Sequence, residues 1–262
     1  MNPSITDAEL LVEAVSHEYE MRGNSVKALD EISLAVPPRR FVGIVGPSGC
    51  GKSSLLMMMA GLIRPSQGRI VLDGVPITDP VPTKIGVVFQ DASLFPWKTA
   101  QENVEFPLEL QGISREKRKA TAEVMLELVG LLDFGGRYPH ELSGGMKQRV
   151  AIARGLGQDP RILLMDEPFA ALDEQTRMTM GHELLRIWDR THKTVVFVTH
   201  SLTEAVYLCD EVLVMSPRPG RLLDRIEIDL PRPRTYEMMA TEQFGRLRDR
   251  IWRLIRTEQT AP

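Results

Sequence analysis

The chain has 262 residues, a formal net charge of −3 and 43% hydrophobic residues, which is typical of a globular protein with a substantial core. The slight acidic balance argues against a nucleic-acid-binding protein, since such proteins usually carry a basic face. Cys50 and Cys209 lie outside any CxxC pair and predict free thiols rather than a disulfide framework. Residues 1–9 are polar and predict no signal peptide, and no apolar run approaches the roughly 18 residues of a membrane span.

The first half of the chain predicts an antiparallel patch followed by an α/β unit. Residues 10–36 and 68–76 alternate in polarity and contain turn signals, which indicates antiparallel strands. Residues 41–45 form a continuous apolar run, typical of a buried parallel strand. The glycine-rich residues 46–51 follow at once, and a helix is expected from about residue 52 to residue 60, ending at Gly61. Strand, loop and helix in this order open a doubly wound fold.

The second half alternates between helical and strand patterns. A strand is expected over residues 86–89, a helical insertion over about 100–157, and two further buried strands over 162–165 and 195–198, with a helix over 174–190 between them. Residues 217–234 contain four prolines, at positions 217, 219, 231 and 233. A final amphipathic helix carries apolar residues at helical spacing, namely Phe244, Leu247, Ile251, Leu254 and Ile255.

Residues 46–53 read Gly-Pro-Ser-Gly-Cys-Gly-Lys-Ser and match the phosphate-loop pattern G-x-x-x-x-G-K-[ST]. Phosphate oxygens need many donors at close range, and glycines let backbone N–H groups curl around them at the start of a helix. Lys52 is expected to reach the β- and γ-phosphates and Ser53 to ligate Mg²⁺. The pattern lies between a predicted strand and a predicted helix, as this chemistry requires.

Two acidic residues follow the strand predicted at residues 162–165. Asp166 at the carboxyl end of a buried strand predicts a Mg²⁺-holding carboxylate, and Glu167 is expected to polarise the attacking water. Pro168 is expected to end the strand.

A second phosphate-binding helix start is predicted at residues 142–149, Leu-Ser-Gly-Gly-Met-Lys-Gln-Arg, where Ser143, Gly144 and Gly145 precede a helix that runs to about residue 156. This segment resembles the LSGGQ signature of the ABC transporter ATPases, with Met146 in place of glutamine.

The resemblance implies further site residues in the same order along the chain. Gln90 is similar to the Q-loop glutamine, which contacts Mg²⁺ or the water, and Asp173 is similar to the D-loop aspartate. His200 resembles the switch histidine that touches the γ-phosphate. Tyr19 resembles the aromatic residue that stacks on adenine, although packing within the antiparallel patch is the alternative. The ATP-binding set implied in this way comprises Tyr19, Gly46, Pro47, Ser48, Gly49, Cys50, Gly51, Lys52, Ser53 and Ser54.

The resemblance also implies the fold and the assembly. It implies an α/β P-loop NTPase (RecA-like) core with an antiparallel β patch and an inserted α-helical subdomain. Residues 1–262 form one ABC ATPase domain, with the subdomain at about 98–158 and a C-terminal extension at about 217–262. The expected ligands are ATP and Mg²⁺. The expected partners are a second copy in a head-to-tail dimer, transmembrane permease subunits and, indirectly, a periplasmic or lipid-anchored substrate-binding protein, with no nucleic acid. The expected location is peripheral, on the cytoplasmic face of the inner membrane.

Three stretches are similar to the nitrate/sulfonate/taurine importer ATPases of bacteria: residues 95–99, residues 215–221, and the final helix with Arg246, Arg248, Arg250 and Arg253. Nitrate, alkanesulfonates, taurine, aromatic acids and pyrimidine vitamin precursors remain open as substrates. The rival functions are a soluble ABC ATPase of DNA repair or chromosome organisation, a ribosome-associated ATPase and a P-loop small-molecule kinase. A repair ATPase usually has a long coiled-coil insertion, which this sequence lacks. A ribosome-associated ATPase usually has two ATPase units, and this sequence has one. A kinase would leave the Ser-Gly-Gly at residues 143–145 unexplained.

Overall fold

The computed structural model describes residues 9–21 and 24–259. Residues 1–8, which contain most of the polar start on which the absence of a signal peptide was predicted, lie outside the described residues. The chain divides into two compact units. Unit 1 contains the described residues up to Val81 and those from Thr194 onward, and unit 2 runs from Pro82 to Lys193.

Unit 1 contains the predicted antiparallel patch. Its strands are β1 (Leu10–Met21), β2 (Asn24–Val36), β4 (Gln67–Leu72) and β5 (Val75–Pro76), in the order β2-β1-β4-β5. All three pairings are antiparallel, and the β1–β2 register is irregular between Val12 and Glu18. The polarity alternation in the sequence arises because one side of this sheet is buried and the other is exposed.

Unit 1 also contains a sheet built around β3 (Phe41–Val45), whose five residues are all buried. This strand lies parallel to β8 (Thr194–Val198) on one side and to β9 (Glu211–Met215) on the other. A fourth strand, β10 (Leu222–Glu227), pairs antiparallel with β9. Helix α1 (Lys52–Met59) follows β3 after the glycine-rich loop and buries Leu55, Leu56, Met58 and Met59.

Two further helices of unit 1 are α6 (Leu202–Leu208) and α7 (Glu242–Gln259). Phe244 and Ile251 are buried on one face of α7, as the amphipathic spacing predicts. The buried Arg234 guanidinium donates to the carbonyls of Val206, Tyr207 and Cys209 at the end of α6. A cation suits a helix C-terminus because unsatisfied carbonyls and the helix dipole both favour positive charge there.

Unit 2 contains two parallel strands and four helices. The strands are β6 (Ile85–Val88) and β7 (Ile162–Asp166). Between them in sequence lie three helices, α2 (Ala100–Leu110), α3 (Arg115–Leu128) and α4 (Gly144–Leu156), and β7 is followed by α5 (Glu174–Thr191). The predicted helical insertion therefore comprises three helices. No helix within residues 9–21 and 24–259 is long and apolar enough to cross a membrane.

Three details of the predicted boundaries are wrong. Strand β7 ends at Asp166 and not at Pro168, because Glu167 has already left the extended conformation. Gly144 and Gly145 do not precede α4 but form its first turn, with Ser143 as the N-cap residue. Strand β6 ends at Val88, so Gln90 lies beyond the strand instead of closing it.

Candidate nucleotide-binding elements

The phosphate loop joins β3 to α1 and is built by glycine conformations. Gly49 has φ of 74° and Gly51 has φ of 101°, a left-handed region that residues with a Cβ rarely adopt. Gly51 is the N-cap of α1 and makes no side-chain cap hydrogen bond. The first N–H groups of the helix are thus not taken by a capping side chain and are suited to an anion.

Lys52 is almost fully buried, with 5% of its surface exposed. Its ammonium donates to the carbonyls of Gly46 at 3.0 Å and Pro47 at 2.9 Å, and it lies 3.9 Å from Cys50 Sγ. These bonds fold the long side chain back along its own loop. Burial raises the pKa of the Cys50 thiol, although the nearby Lys52 opposes this. Cys50 therefore stays a thiol and acts as a small packing residue of the loop.

Tyr19 on β1 lies beside α1. Its hydroxyl is 2.9 Å from Ser54 Oγ, and its ring makes an edge contact with the His17 ring at a centroid distance of 4.5 Å. Burial lowers the pKa of His17. Tyr19 remains 37% exposed, so the structure brings a partly open aromatic ring next to the phosphate loop.

His200 lies at the same edge of the sheet as the phosphate loop. Strand β8 is the parallel neighbour of β3, and the Thr199 N–H donates to the Ile44 carbonyl at 3.2 Å. His200 is exposed just after this point. Ser201 caps α6 by accepting from the Glu204 N–H at 3.3 Å, which fixes the chain on the other side of the histidine.

In unit 2, Asp166 is buried at the end of β7 with 8% of its surface exposed, and Glu167 is half-buried. The backbone of Glu167 has φ of 43°, which is strained for a residue with a side chain. Such strain costs on the order of 1–3 kcal/mol and tends to occur at functional positions. The sequence gives no signal for this strain, because neither glycine nor asparagine stands at 167.

Ser143 is exposed at the start of α4, and its hydroxyl accepts from the Met146 N–H at 3.3 Å. Met146 thus contributes its backbone N–H to the cap, while its side chain takes no part in it. A Cβ on Gly144 would lie 3.3 Å from Leu172 Cδ2, and one on Gly145 would lie 3.1 Å from Thr176 Cγ2. The two glycines therefore let the start of α4 lie close to the start of α5.

Asp173 is the N-cap of α5 and accepts from the Thr176 N–H at 3.0 Å. Hydrogen bonds from Thr176 hold the pKa of this carboxyl below its usual range. Because Thr176 also faces Gly145, the D-loop aspartate orders the turn on which the signature glycines pack.

Gln90 is exposed. Two residues of α4 that the sequence analysis missed form hydrogen bonds with the segment around it. Gln148 is buried and donates to the Phe89 carbonyl at 3.2 Å. Arg154 donates to the carbonyls of Ala92 at 2.7 Å and Ser93 at 2.8 Å. Both lie on α4, two and eight residues after Met146, and the sequence analysis assigned no role to either of them.

Asn103 is the third missed residue and holds the segment that follows. It is fully buried, accepts from the Phe95 N–H at 2.8 Å and donates to the Lys98 and Thr99 carbonyls at 3.0 and 2.9 Å. Trp97 at the tip of this turn is 70% exposed. A rigid turn therefore presents a large aromatic side chain on its surface.

The residues present fit a nucleoside triphosphate with Mg²⁺. A Cβ built on Gly49 would have nothing within 4 Å, so the loop has open space above it, and the adjoining helix start offers N–H donors. Each predicted Mg²⁺ ligand carries an oxygen of the hard kind that this ion prefers: a hydroxyl on Ser53 in unit 1, and an amide and a carboxylate oxygen on Gln90 and Asp166 in unit 2.

The profile of the ABC transporter family matches residues 29–170, which is more than half of the chain. The chain belongs to the ABC transporter ATPases. It is 50% identical over 234 residues to a taurine import ATP-binding protein of Rhizobium johnstonii, covering 87% of this chain and 89% of the relative. It is 46% identical over 242 residues to a nitrate import ATP-binding protein of Synechocystis, covering 90% and 91%.

Among solved structures, this ABC ATPase resembles a dimeric ATP-binding cassette in a post-hydrolysis state bound to ADP and phosphate. The two share 33% identity with a TM-score of 0.75, covering 85% of this chain and all of the other. The predicted fold class is confirmed, and ATP binding and hydrolysis follow from membership of the family.

Proposed function

We propose that this chain is the ATP-hydrolysing subunit of an importer for a small anion such as taurine, another sulfonate or nitrate. The ATPase part of the proposal is carried by two glycine-lined helix starts in one chain, one at α1 and one at α4. A single nucleotide-binding enzyme such as a small-molecule kinase needs only the first. The second gives a donor set that another copy of the chain can use. The importer part is supported by the likeness to taurine and nitrate import ATP-binding proteins.

At the phosphate loop, the backbone N–H groups of residues 46 and 48–53 and the Lys52 ammonium bind the triphosphate. Ser53, Gln90 and Asp166 would hold Mg²⁺, directly or through water, and the bound ion would neutralise phosphate charge. Glu167 polarises the attacking water and His200 contacts the γ-phosphate. Tyr19 supplies an aromatic face for adenine, which the proximity of its hydroxyl to Ser54 supports.

The second copy contributes Ser143, Gly144, Gly145 and Met146 to the same triphosphate, in a head-to-tail dimer. The exposure of Ser143 and the dimeric state of the structural neighbour support this arrangement. Backbone donors aimed at the γ-phosphate stabilise the charge of the transition state at little reorganisation cost. Asp173 orders the adjoining turn in each copy.

The domain organisation follows the same proposal. Residues 1–262 form one ABC ATPase domain, with a helical subdomain at about 98–158 and a C-terminal extension at about 217–262. The exposed Trp97 and the segment 90–99 are the contact for a permease on the cytoplasmic face of the inner membrane. A periplasmic or lipid-anchored protein delivers the substrate to that permease.

A Glu167→Gln variant tests the ATPase roles. It keeps the size and hydrogen-bonding capacity of the side chain but removes the base, so hydrolysis is expected to fall by about a hundredfold or more while ATP affinity is retained. The variant should then accumulate as a dimer in ATP, which light scattering measures. Turnover near the wild-type rate would remove Glu167 from its role.

Ser143→Arg is the complementary variant, because it places a bulky cation at the exposed helix start without touching the phosphate loop. In the Glu167→Gln background it should bind ATP with unchanged affinity yet remain monomeric. Dimer formation by this double variant would contradict the trans arrangement.

The substrate class is tested in cells that lack this chain. Uptake of labelled taurine, an alkanesulfonate and nitrate should be compared with and without the wild-type chain and the Glu167→Gln variant. The proposal predicts that one of these anions loses its uptake in both the deletion and the variant. Loss of uptake of a neutral vitamin precursor instead would refute the anion assignment but leave the ATPase roles standing.

A further inference from the structure

The turn between β9 and β10, residues 216–221, lies directly against the phosphate loop. A Cβ built on Gly220 would lie 2.1 Å from the carbonyl oxygen of Cys50, a distance that no real side chain can adopt. Gly220 is buried and its φ is not in the left-handed region, so close approach and not backbone conformation requires glycine here.

The backbone of Gly220 is fixed from the opposite side by β2. Its N–H donates to the Ala28 carbonyl at 2.9 Å, and its carbonyl accepts from the Asp30 N–H at 3.0 Å. This short parallel bridge at Leu29 leaves Gly220 no room to move away from Cys50. An added methyl group must therefore displace the loop.

Strand β2 and the end of strand β9 contact the phosphate loop at two other points. A Cβ on Gly51 would lie 2.6 Å from Leu29 Cδ2, and a Cβ on Gly46 would lie 2.9 Å from the Met215 carbonyl oxygen. Both Leu29 and Met215 are almost completely buried. The loop is thus supported at its beginning by the end of β9, at Cys50 by the β9–β10 turn and at Gly51 by β2.

The turn itself is closed by the buried Ser216. Its hydroxyl accepts from the Arg221 N–H at 2.9 Å and lies 2.9 Å from the Pro217 carbonyl and 3.1 Å from the Pro219 carbonyl. Arg221 Nε donates to Asp30 on β2 at 2.7 Å. Side-chain bonds at both ends of the turn therefore hold Gly220 in its place.

From this geometry we infer that Gly220 is a positioning residue for the phosphate loop, and that the β9–β10 turn sets the geometry in which the loop amides bind phosphate. This inference rests on the proposed nucleotide role of residues 46–53. Gly220 is buried and acts through the Cys50 carbonyl, next to the left-handed Gly51 that starts α1.

The test is Gly220→Ala, with ADP and ATP affinity measured by titration and the KM and kcat for ATP measured separately. Displacing one or two amide donors from a phosphate corresponds to a loss of about tenfold or more in affinity. KM is expected to rise by that factor, with a smaller change in kcat because Glu167 is not altered. Circular dichroism checks that the variant is folded.

Two glycine substitutions serve as controls. Gly245→Ala adds a methyl group to helix α7 in open space, so it should leave nucleotide affinity unchanged and raise the thermal midpoint slightly, because alanine is the better helix former. Gly43→Ala places a Cβ 2.7 Å from Cys209 Sγ in the same unit, so it should lower the thermal midpoint while leaving nucleotide affinity within about twofold. A merely structural role for Gly220 would make its variant behave like Gly43→Ala.

Ser216→Ala is the second variant and decides the question if Gly220→Ala does not fold. It removes the hydroxyl that closes the turn, and its ADP affinity should fall about threefold or more, since a buried N–H loses its partner. Nucleotide affinity within twofold of the wild type in the folded variants would overturn the inference. Failure of the wild-type chain itself to bind ATP would instead refute the proposed function.

Discussion

The two helix starts that face phosphate in the proposed function are built in opposite ways. Helix α1 begins at a left-handed glycine, Gly51, and no side chain caps it. Helix α4 begins at Ser143, whose hydroxyl already accepts from the Met146 N–H. The first keeps its donors available through backbone shape alone, whereas the second satisfies one of its own donors with a side chain.

Because of this difference, the two helix starts suit different kinds of phosphate contact. A helix start with uncapped donors next to a buried lysine suits permanent, tight binding of phosphate in one chain. A self-capped start is stable without a ligand, because the cap removes one unsatisfied N–H. Such a site suits contact that is made and broken in each cycle. Three substitutions test this interpretation.

The largest effect is expected from Lys52→Ala. The ammonium is buried within its own loop and is the only cation in residues 46–53. Its removal should weaken ATP binding by about a hundredfold and abolish measurable hydrolysis, since charge-assisted bonds to phosphate are the strong ones. Isothermal titration measures the affinity. Lys119→Ala, an exposed lysine paired with Glu123, is the matched control and should leave binding intact.

A smaller effect is expected from Ser143→Ala. Loss of an N-cap hydroxyl costs about 1 kcal/mol of helix stability, so the thermal midpoint should fall by a few degrees. ATP-dependent dimerisation should weaken, while ATP affinity of the monomer should not change. Ser114→Ala is the control, because Ser114 stands at the N-cap of α3 without making a cap bond. Equal destabilisation by both substitutions would contradict the capping role of Ser143.

The smallest effect is expected from Asp173→Asn, which should change how the thermal midpoint depends on pH. The pKa of Asp173 lies below its ordinary value of 3.8, so its cap stabilises the folded chain above that value and loses this contribution as pH falls through the folded pKa. Asp173→Asn should therefore show a shallower fall in thermal midpoint between about pH 5 and pH 3 than the wild type.

Asp133→Asn removes one carboxylate from an exposed position and controls for the change in net charge. If the asparagine variant at 173 shows the same acid dependence as the wild type, the cap is not responsible for it.

The sequence was sufficient for the elements in which chemistry and fold require the same residues. In the phosphate loop, glycines serve both the turn and the ligand, so β3, the loop and α1 were predicted nearly to the residue. The antiparallel patch was predicted from alternating polarity together with turn signals, and helix α5 from a helical stretch between two buried strands; both are present.

What the sequence could not predict depends on contacts between distant residues. Gln148, Arg154 and Asn103 bind backbone carbonyls of the segment 89–99, and backbone partners leave no trace in side-chain patterns. Strand β10 was also missed, since it is short, mostly half-buried and preceded by a proline-rich turn. The close approach of Gly220 to Cys50 likewise joins residues that lie 170 positions apart in the chain.

The left-handed backbone at Glu167 has a consequence for protein engineering. Glycine adopts that conformation without strain, so Glu167→Gly would relieve part of a cost on the order of 1–3 kcal/mol while deleting the proposed base. Selection for heat resistance alone could then favour a variant that lacks the proposed base at this position. A screen for more thermostable variants of this chain must therefore measure ATP turnover together with melting temperature.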